Sequence, residues 1–264
     1  MLTGGPGRTG AARLAARGAL RIGAGLVTLG VPPAAQAEVA AQVTALMLTS
    51  VTDAGGLAAT LEDERINALC LGPGLGLDDH AAGLVGAVLG GGHLRLTRRV
   101  VLDADALTLI AQDDARMAAL NEHAVLTPHG GEFARLFPDI AEKLGAVPDR
   151  GPAYSKVDAT REAAARCGAV VVFKGPDTVI AHPDGRVSIH AATHERSAPW
   201  LATAGAGDVL AGFITGLLAR GVAPMQAAET AAWLHVECAR AFGPGLIAED
   251  LPEMLPQVLR KLGT

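Results

Sequence analysis

The sequence predicts an α/β fold, with a central, mostly parallel sheet covered by helices on both faces. Three observations carry this reading. Short runs of continuous apolar residues, the mark of strands buried on two sides, alternate with Ala-rich stretches of helical length. The junctions after these runs are rich in glycine: the 264-residue chain holds 33 of them, well above the roughly 7% of an average protein. No repeat, low-complexity tract or long linker interrupts the alternation, so residues 1–264 are read as one domain.

The elements follow in order. Apolar runs predict strands at Leu26–Val31, Leu69–Leu71, Val100–Asp103, Ala124–Thr127 and Val170–Lys174. Two more, Thr178–Ala181 and Arg186–His190, flank an Asp-Gly turn and read as a hairpin. Helices are predicted at Thr9–Ile22, Asp79–Leu89, Asp105–Gln112, Ala153–Arg166, Gly207–Ala219, Pro224–Phe242 and Asp250–Lys261. Gly221 is placed to close one helix in the left-handed conformation, and Pro224 to open the next.

Composition excludes several functions. Half the residues are hydrophobic, which excludes a disordered chain. A net charge of −5 and 3% aromatics argue against nucleic-acid binding, by charge and by base stacking alike. The apolar stretch Val209–Ala219 is too short for a membrane span and is bounded by Asp208 and Arg220. Cys70, Cys167 and Cys238 are odd in number and lack metal or CxxC spacing, so they read as reduced core residues of a cytoplasmic protein. No acidic residue precedes Glu38, whereas Arg8, Arg13, Arg17 and Arg21 do. Such a start can target an organelle. The four-residue spacing of Arg13, Arg17 and Arg21 instead favours a structural helix with one exposed cationic face.

Chemistry is expected where strands run into helices. Four loops there are unusual: Gly4–Gly10, Gly72–Gly76, Asp103–Leu107 and Thr127–Glu132. The strongest signal is Thr203–Gly207, nearly devoid of side chains and feeding a helix at Asp208. Free N–H groups and the helix dipole make such a start an anion hole suited to phosphate. The absence of a Lys-Ser/Thr pair excludes an ordinary P-loop. Asp208 divides between a helix cap and a general base beside the phosphate, and the small flanking residues favour the base. Lys174 closes a strand and is placed to reach a phosphate. His129, between Pro128 and two glycines, is read as a substrate contact in a loop with little packing role. Asp103 and Asp105 suggest paired carboxylates, but alternate strand-end residues point to opposite faces, and Asp105 is equally placed as an N-cap. His235 and Cys238 read as a buried helix face, and no dedicated protein metal site is indicated.

Taken together, TGAARLAARGALRIGAGLVTLGVP, LGPGLG, VVLDADAL, LTPHGGEFARLF, VVFKGPDTVIAHPDG and LATAGAGDVLAG resemble the ADP/ATP-dependent NAD(P)H-hydrate dehydratases of the ribokinase-like superfamily. Motif order is preserved over nearly the whole chain. The resemblance implies a ribokinase-like three-layer sandwich. It also implies an ADP-dependent lyase that dehydrates (6S)-NADH and (6S)-NADPH hydrates, releasing AMP and phosphate, with Mg²⁺ accompanying the nucleotide. Carried over by motif, Asp208 meets the hydrate and is the base, and Ala11, Gly74 and His129 touch the substrate. Lys174, Gly175, Pro176, Asp177, Thr178, Gly205 and Gly207 fall on the nucleotide side. A homotetramer and an NAD(P)H-hydrate epimerase, fused or separate, are the implied partners. A small-molecule kinase acting on a vitamin-precursor alcohol is the competing reading, because the anion hole and Asp208 serve both chemistries. Four positions depart from the pattern. Only Met1–Thr3 precede Gly4, so the first strand reads as truncated. Gly130 replaces a proline, Thr108 an asparagine, and Val236 and Glu237 stand in place of glycines.

Overall fold

The computed structural model describes residues 1–90, 98–148 and 151–263. The chain begins with α1 (Gly10–Arg21), β1 (Thr28–Val31), α2 (Gln36–Ala40), β2 (Met47–Ser50) and α3 (Ala54–Thr60). It continues through β3 (Ala68–Leu71), α4 (Asp79–Gly90), β4 (Arg99–Leu102), α5 (Asp105–Ala111), α6 (Asp114–Ala118) and β5 (Ala124–Leu126). Next come α7 (Gly130–Leu136), α8 (Pro138–Gly145), α9 (Lys156–Cys167), β6 (Val170–Phe173), β7 (Asp177–Ala181) and β8 (Val187–Ala191). The helices α10 (Ala206–Ala219), α11 (Pro224–Phe242) and α12 (Asp250–Leu262) complete it.

Six strands form the central sheet in the order β3-β4-β5-β6-β7-β8. The first four are parallel, and the β7–β8 hairpin adds two antiparallel strands at one edge. Successive residues of a strand point to opposite faces, and the core divides accordingly. Leu69, Leu71, Val100, Leu102, Leu126, Val171 and Phe173 face one apolar cluster with residues of α4, α5, α7 and α9. Cys70, Val101, Val125, Val170 and Val172 face another, built mainly by α10, α11 and α12. Three layers result, as expected.

One expected element is split off. β1 pairs in parallel with β2 as a separate two-stranded sheet, and β2 had no counterpart in the sequence reading. Met1–Thr3 links the sheets: Thr3 N–H donates to the Gly30 carbonyl (3.0 Å) and Leu2 N–H to the Cys70 carbonyl (3.3 Å). Residues at this start are thus laced between β1 and β3 by backbone.

The arginine-bearing start forms α1, whose small buried face, including Ala12, Ala15, Ala16 and Ala19, packs on α10. Contact is backbone-close: a Cβ at Gly212 would overlap the Ala15 carbonyl, and one at Gly18 would lie 3.1 Å from the Val209 carbonyl. Arg17 and Arg21 point outward to Glu253 of α12. Ser155 and Asp158 form a reciprocal capping box that starts α9 at Lys156, three residues after the expected start. Gly221 takes a φ of 86° after α10, and Pro224 opens α11, both as expected. Among the described residues no helix is long and apolar enough to cross a membrane.

Candidate active site

The site lies at the carboxyl ends of β3, β4, β5 and β6, where their loops meet the start of α10. Gly205 enters α10 in the left-handed conformation (φ 87°), which a side chain would oppose. Its small size also matters, because a Cβ there would lie 2.7 Å from Leu14 and 2.9 Å from Ala248. Ala206 N–H donates to the Thr203 carbonyl (3.4 Å), and Gly207 and Asp208 follow in the first turn, where N–H groups lack the partners of a helix interior. Asp208 sits in this first turn.

A buried ionic cluster backs that turn. The Lys174 ammonium donates to Asp103 Oδ1 at 2.9 Å and lies 3.9 Å from Glu132 Oε2. Thr127 Oγ1 donates to the same Asp103 oxygen at 2.7 Å. A Cβ on Gly207 would lie 3.3 Å from Lys174 Nζ, so the ammonium stands against the first turn of α10. Burial opposes the lysine charge, but Asp103 and Glu132 outweigh it and raise its pKa above the ordinary value. The pattern is a cation fixed beside backbone donors, a set suited to phosphate oxygens.

Asp208 feels the opposite balance. Burial pushes its carboxyl up to about 6, Asp103 reinforces the shift, and Lys174 resists it. A carboxyl poised near neutrality can both take and return a proton.

The other loops brace one another. Gly72 (φ 122°) carries no side chain where a Cβ would overlap the Asp103 carbonyl, and Gly74 packs its backbone against Arg8 and lies 3.4 Å (Cβ-equivalent) from Ala11. Gly76 N–H donates to Asp105 Oδ2 at 2.8 Å. Asp105 therefore spans to the neighbouring loop and is not the N-cap of α5. Ala104 holds that position, with a φ of 47°, a conformation that costs alanine on the order of 1–3 kcal/mol. Asp103 and Asp105 do point apart, one to Lys174 and one to Gly76. Glu38 ties down the Gly4–Gly10 loop by accepting from Gly7 N–H (2.8 Å) and Thr9 Oγ1.

His129 departs from expectation in one respect. Its loop is not free of structural duty: Nδ1 accepts from Gly131 N–H (3.0 Å) and caps α7, while Glu132 Oε2 accepts from His129 N–H (2.8 Å). With Nδ1 accepting, the ring proton belongs on Nε2. The side chain is 57% exposed, with Nε2 lying 3.4 Å from Glu132 Oε1.

Lys156 had no role in the sequence reading. Its ammonium donates to the Asp177 carbonyl (2.6 Å) and Oδ1 (3.0 Å) and clamps the Lys174–Thr178 turn. Within that turn Thr178 Oγ1 donates to the Gly175 carbonyl at 3.0 Å. His235 is a core residue, as expected: its Nε2 lies 2.8 Å from the Ala206 carbonyl and braces the start of α10, and burial holds the ring down at about 4. The three cysteines are buried and free, and burial pushes their thiols up.

Of the expected site residues, Lys174, Gly207 and Asp208 converge on the start of α10, and Ala11 and Gly74 meet each other. His129 and Glu132 approach through Lys174. Asp177 and Thr178 form the wall of the adjoining turn. Only the Glu132 capping role had a sequence signal, as the third residue after His129. Asp103 and Lys174 are brought together across β5, and nothing local announces that pairing.

Known proteins are similar to this chain in sequence and in fold. A family model described as NAD(P)H-hydrate dehydratase matches residues 1–260. The bifunctional NAD(P)H-hydrate repair enzyme of Moorella thermoacetica is 40% identical over 98% of this chain and 48% of its own length. This chain thus spans about half of that relative. The ADP-dependent (S)-NAD(P)H-hydrate dehydratase of Neisseria meningitidis is 36% identical over 88% of this chain and 72% of its own. The ADP/ATP-dependent NAD(P)H-hydrate dehydratase of Bacillus subtilis, co-crystallised with ATP and Mg²⁺, superposes with a TM-score of 0.76 at 28% identity, covering 98% of this chain and 88% of that one. By sequence over nearly its full length and by fold, the chain belongs to the NAD(P)H-hydrate dehydratase family.

Proposed function

We propose that this chain restores NAD(P)H from its (6S)-hydrate, consuming ADP and releasing AMP and phosphate. The observation that carries the proposal is Asp208, half-buried in the first turn of α10, where the Lys174 ammonium also stands and the carboxyl is raised to about 6. Asp208 takes the proton of the C6 hydroxyl as that oxygen attacks the terminal phosphorus. The bond from phosphorus to the AMP oxygen breaks, and AMP leaves with the electron pair. The C6–O bond then breaks, phosphate departs with its pair and takes the C5 proton, and the C5–H electrons form the C5–C6 double bond. Backbone N–H groups of Gly205 and Gly207 and the Lys174 ammonium stabilise charge on the transferring group. Lys174–Thr178 serve the nucleotide, and Ala11, Gly74 and the exposed His129 side chain serve the hydrate.

Magnesium would neutralise phosphate charge. It is proposed to arrive on the nucleotide and be held mainly by phosphate oxygens and water, because Asp103 and Glu132 are already committed to Lys174 and the His129 backbone. Cytoplasmic residence, a homotetramer and cooperation with a hydrate epimerase accompany this reading.

The test supplies hydrate, ADP or ATP, and Mg²⁺ and follows reduced-nicotinamide absorbance. Recovery with AMP release is expected with ADP. No recovery with either nucleotide, from folded protein, removes the proposal. A phosphorylated alcohol accumulating without hydrate turnover would replace it with a kinase.

A further inference from the structure

The start of α10 is held from behind by a polar side chain of α11. The buried face of α11 is made of Ala, Leu, Val, Met and Cys residues and of His235. Burying an imidazole is costly unless a hydrogen bond compensates it, and an apolar residue would fill the same space without that cost. The compensation here is specific: His235 Nε2 lies 2.8 Å from the Ala206 carbonyl oxygen. That oxygen can only accept, so Nε2 carries the ring hydrogen and donates. Burial holds the ring down at about 4, which keeps it neutral and in this role at ordinary pH. Phe213 of α10 meets the ring edge-on, with centroids 6.3 Å apart, so the imidazole is fixed on a second side.

The hydrogen bond acts on a peptide unit of the site. Ala206 C=O and Gly207 N–H belong to one planar trans amide, in which the two groups point in opposite directions. With the carbonyl directed at His235 in the core, the Gly207 N–H is directed away from the core. Gly207 is also where the Lys174 ammonium stands, 3.3 Å from the place a Cβ would take. A hydrogen bond to an amide oxygen polarises the amide and strengthens its N–H as a donor.

We propose that His235 is a positioning residue for the anion hole: through the Ala206–Gly207 amide it aims and strengthens the Gly207 N–H that receives the terminal phosphate of the nucleotide. The assignment rests on the function proposed above and adds to it a residue that acts from the core, through backbone.

The test compares the unaltered chain with His235→Leu, which removes the donor, and His235→Gln, which returns an N–H on a side chain of similar reach. Calorimetric titration gives the affinities for ADP and for AMP, each with Mg²⁺, and their ratio reads the terminal phosphate, by which the two nucleotides differ. His235→Leu is expected to weaken ADP by about fivefold, the scale of one hydrogen bond, with AMP nearly unchanged, and His235→Gln to recover most of the loss. At saturating ADP, kcat for the hydrate should fall by about tenfold or more in His235→Leu while hydrate KM stays the same. An unchanged ADP-to-AMP ratio in His235→Leu, an equal weakening of both nucleotides, or a glutamine variant no better than the leucine one overturns the assignment and reduces His235 to packing. Because the affinity ratio needs no turnover, the two readings fail separately. If the unaltered chain restores no NAD(P)H, the function falls and the ratio still decides the role of His235. Undiminished turnover in His235→Leu removes that role and leaves the function standing.

Discussion

Asp208→Asn keeps the shape of the side chain and removes its charge, which gives a prediction in stability as well as in rate. The carboxyl titrates at about 6 in the folded chain against an ordinary 3.8, chiefly because it is buried. Between those two values the folded state holds a proton that the unfolded chain has released. Stability therefore falls as pH rises through that window, and the penalty is absent below it and complete above about pH 6. Two pKa units correspond to about 3 kcal/mol as an upper bound. An asparagine carries no such penalty, although its amide must find partners of its own. The variant is expected to be more stable at pH 8 by about 1–3 kcal/mol, a gain of several degrees in Tm at this chain length. The gap should close below pH 4. The assay is thermal unfolding from pH 4 to 8, run beside hydrate turnover. In the unaltered enzyme turnover should rise through about pH 6, and the variant should retain ADP binding while losing turnover. A variant that melts at or below the parent at pH 8, with no dependence on pH, would refute the account of burial. An unchanged rate would remove Asp208 from the chemistry.

Two further substitutions separate charge from architecture. Lys174→Met leaves Asp103, only 2% exposed, with Thr127 alone, and should cost about 3–5 kcal/mol in denaturant unfolding. Adding Asp103→Leu should recover most of that loss but none of the turnover; recovery of turnover would show that the ammonium serves stability only. His129→Ala should cost about 1 kcal/mol through the lost cap of α7, and His129→Asn should restore it. A hydrate KM raised in both variants identifies a substrate contact, whereas a KM restored by asparagine reduces His129 to a cap.

Much of the fold was legible because its signals are local. The apolar runs of β3 to β6 need no partner to be recognised, since strands buried on both faces are apolar throughout. The Asp-Gly turn of the hairpin and the Gly221–Pro224 punctuation of α10 and α11 carry their own conformational preferences. β2 was missed because no residue along Met47–Ser50 is fully buried and the exposure does not alternate. The short helices α2, α3, α6, α7 and α8 fall below the length at which periodicity becomes visible. Ala104 shows a different failure: propensity assigns the cap to Asp105, but the close approach of Gly72 fixes the backbone first.

The sequence by itself determined the layered architecture, the glycine-framed start of α10 and the presence of Asp208 within it, because helix starts and chain reversals are written in neighbouring residues. Tertiary structure alone decided the electrostatics. Asp103, Glu132, Lys174 and Asp208 lie on four different segments, and only the folded sheet ends bring them into one buried cluster. Whether a carboxylate is a cap or a base depends on the solvent and charges around it. Those are properties of the assembled site, and no run of residues contains them.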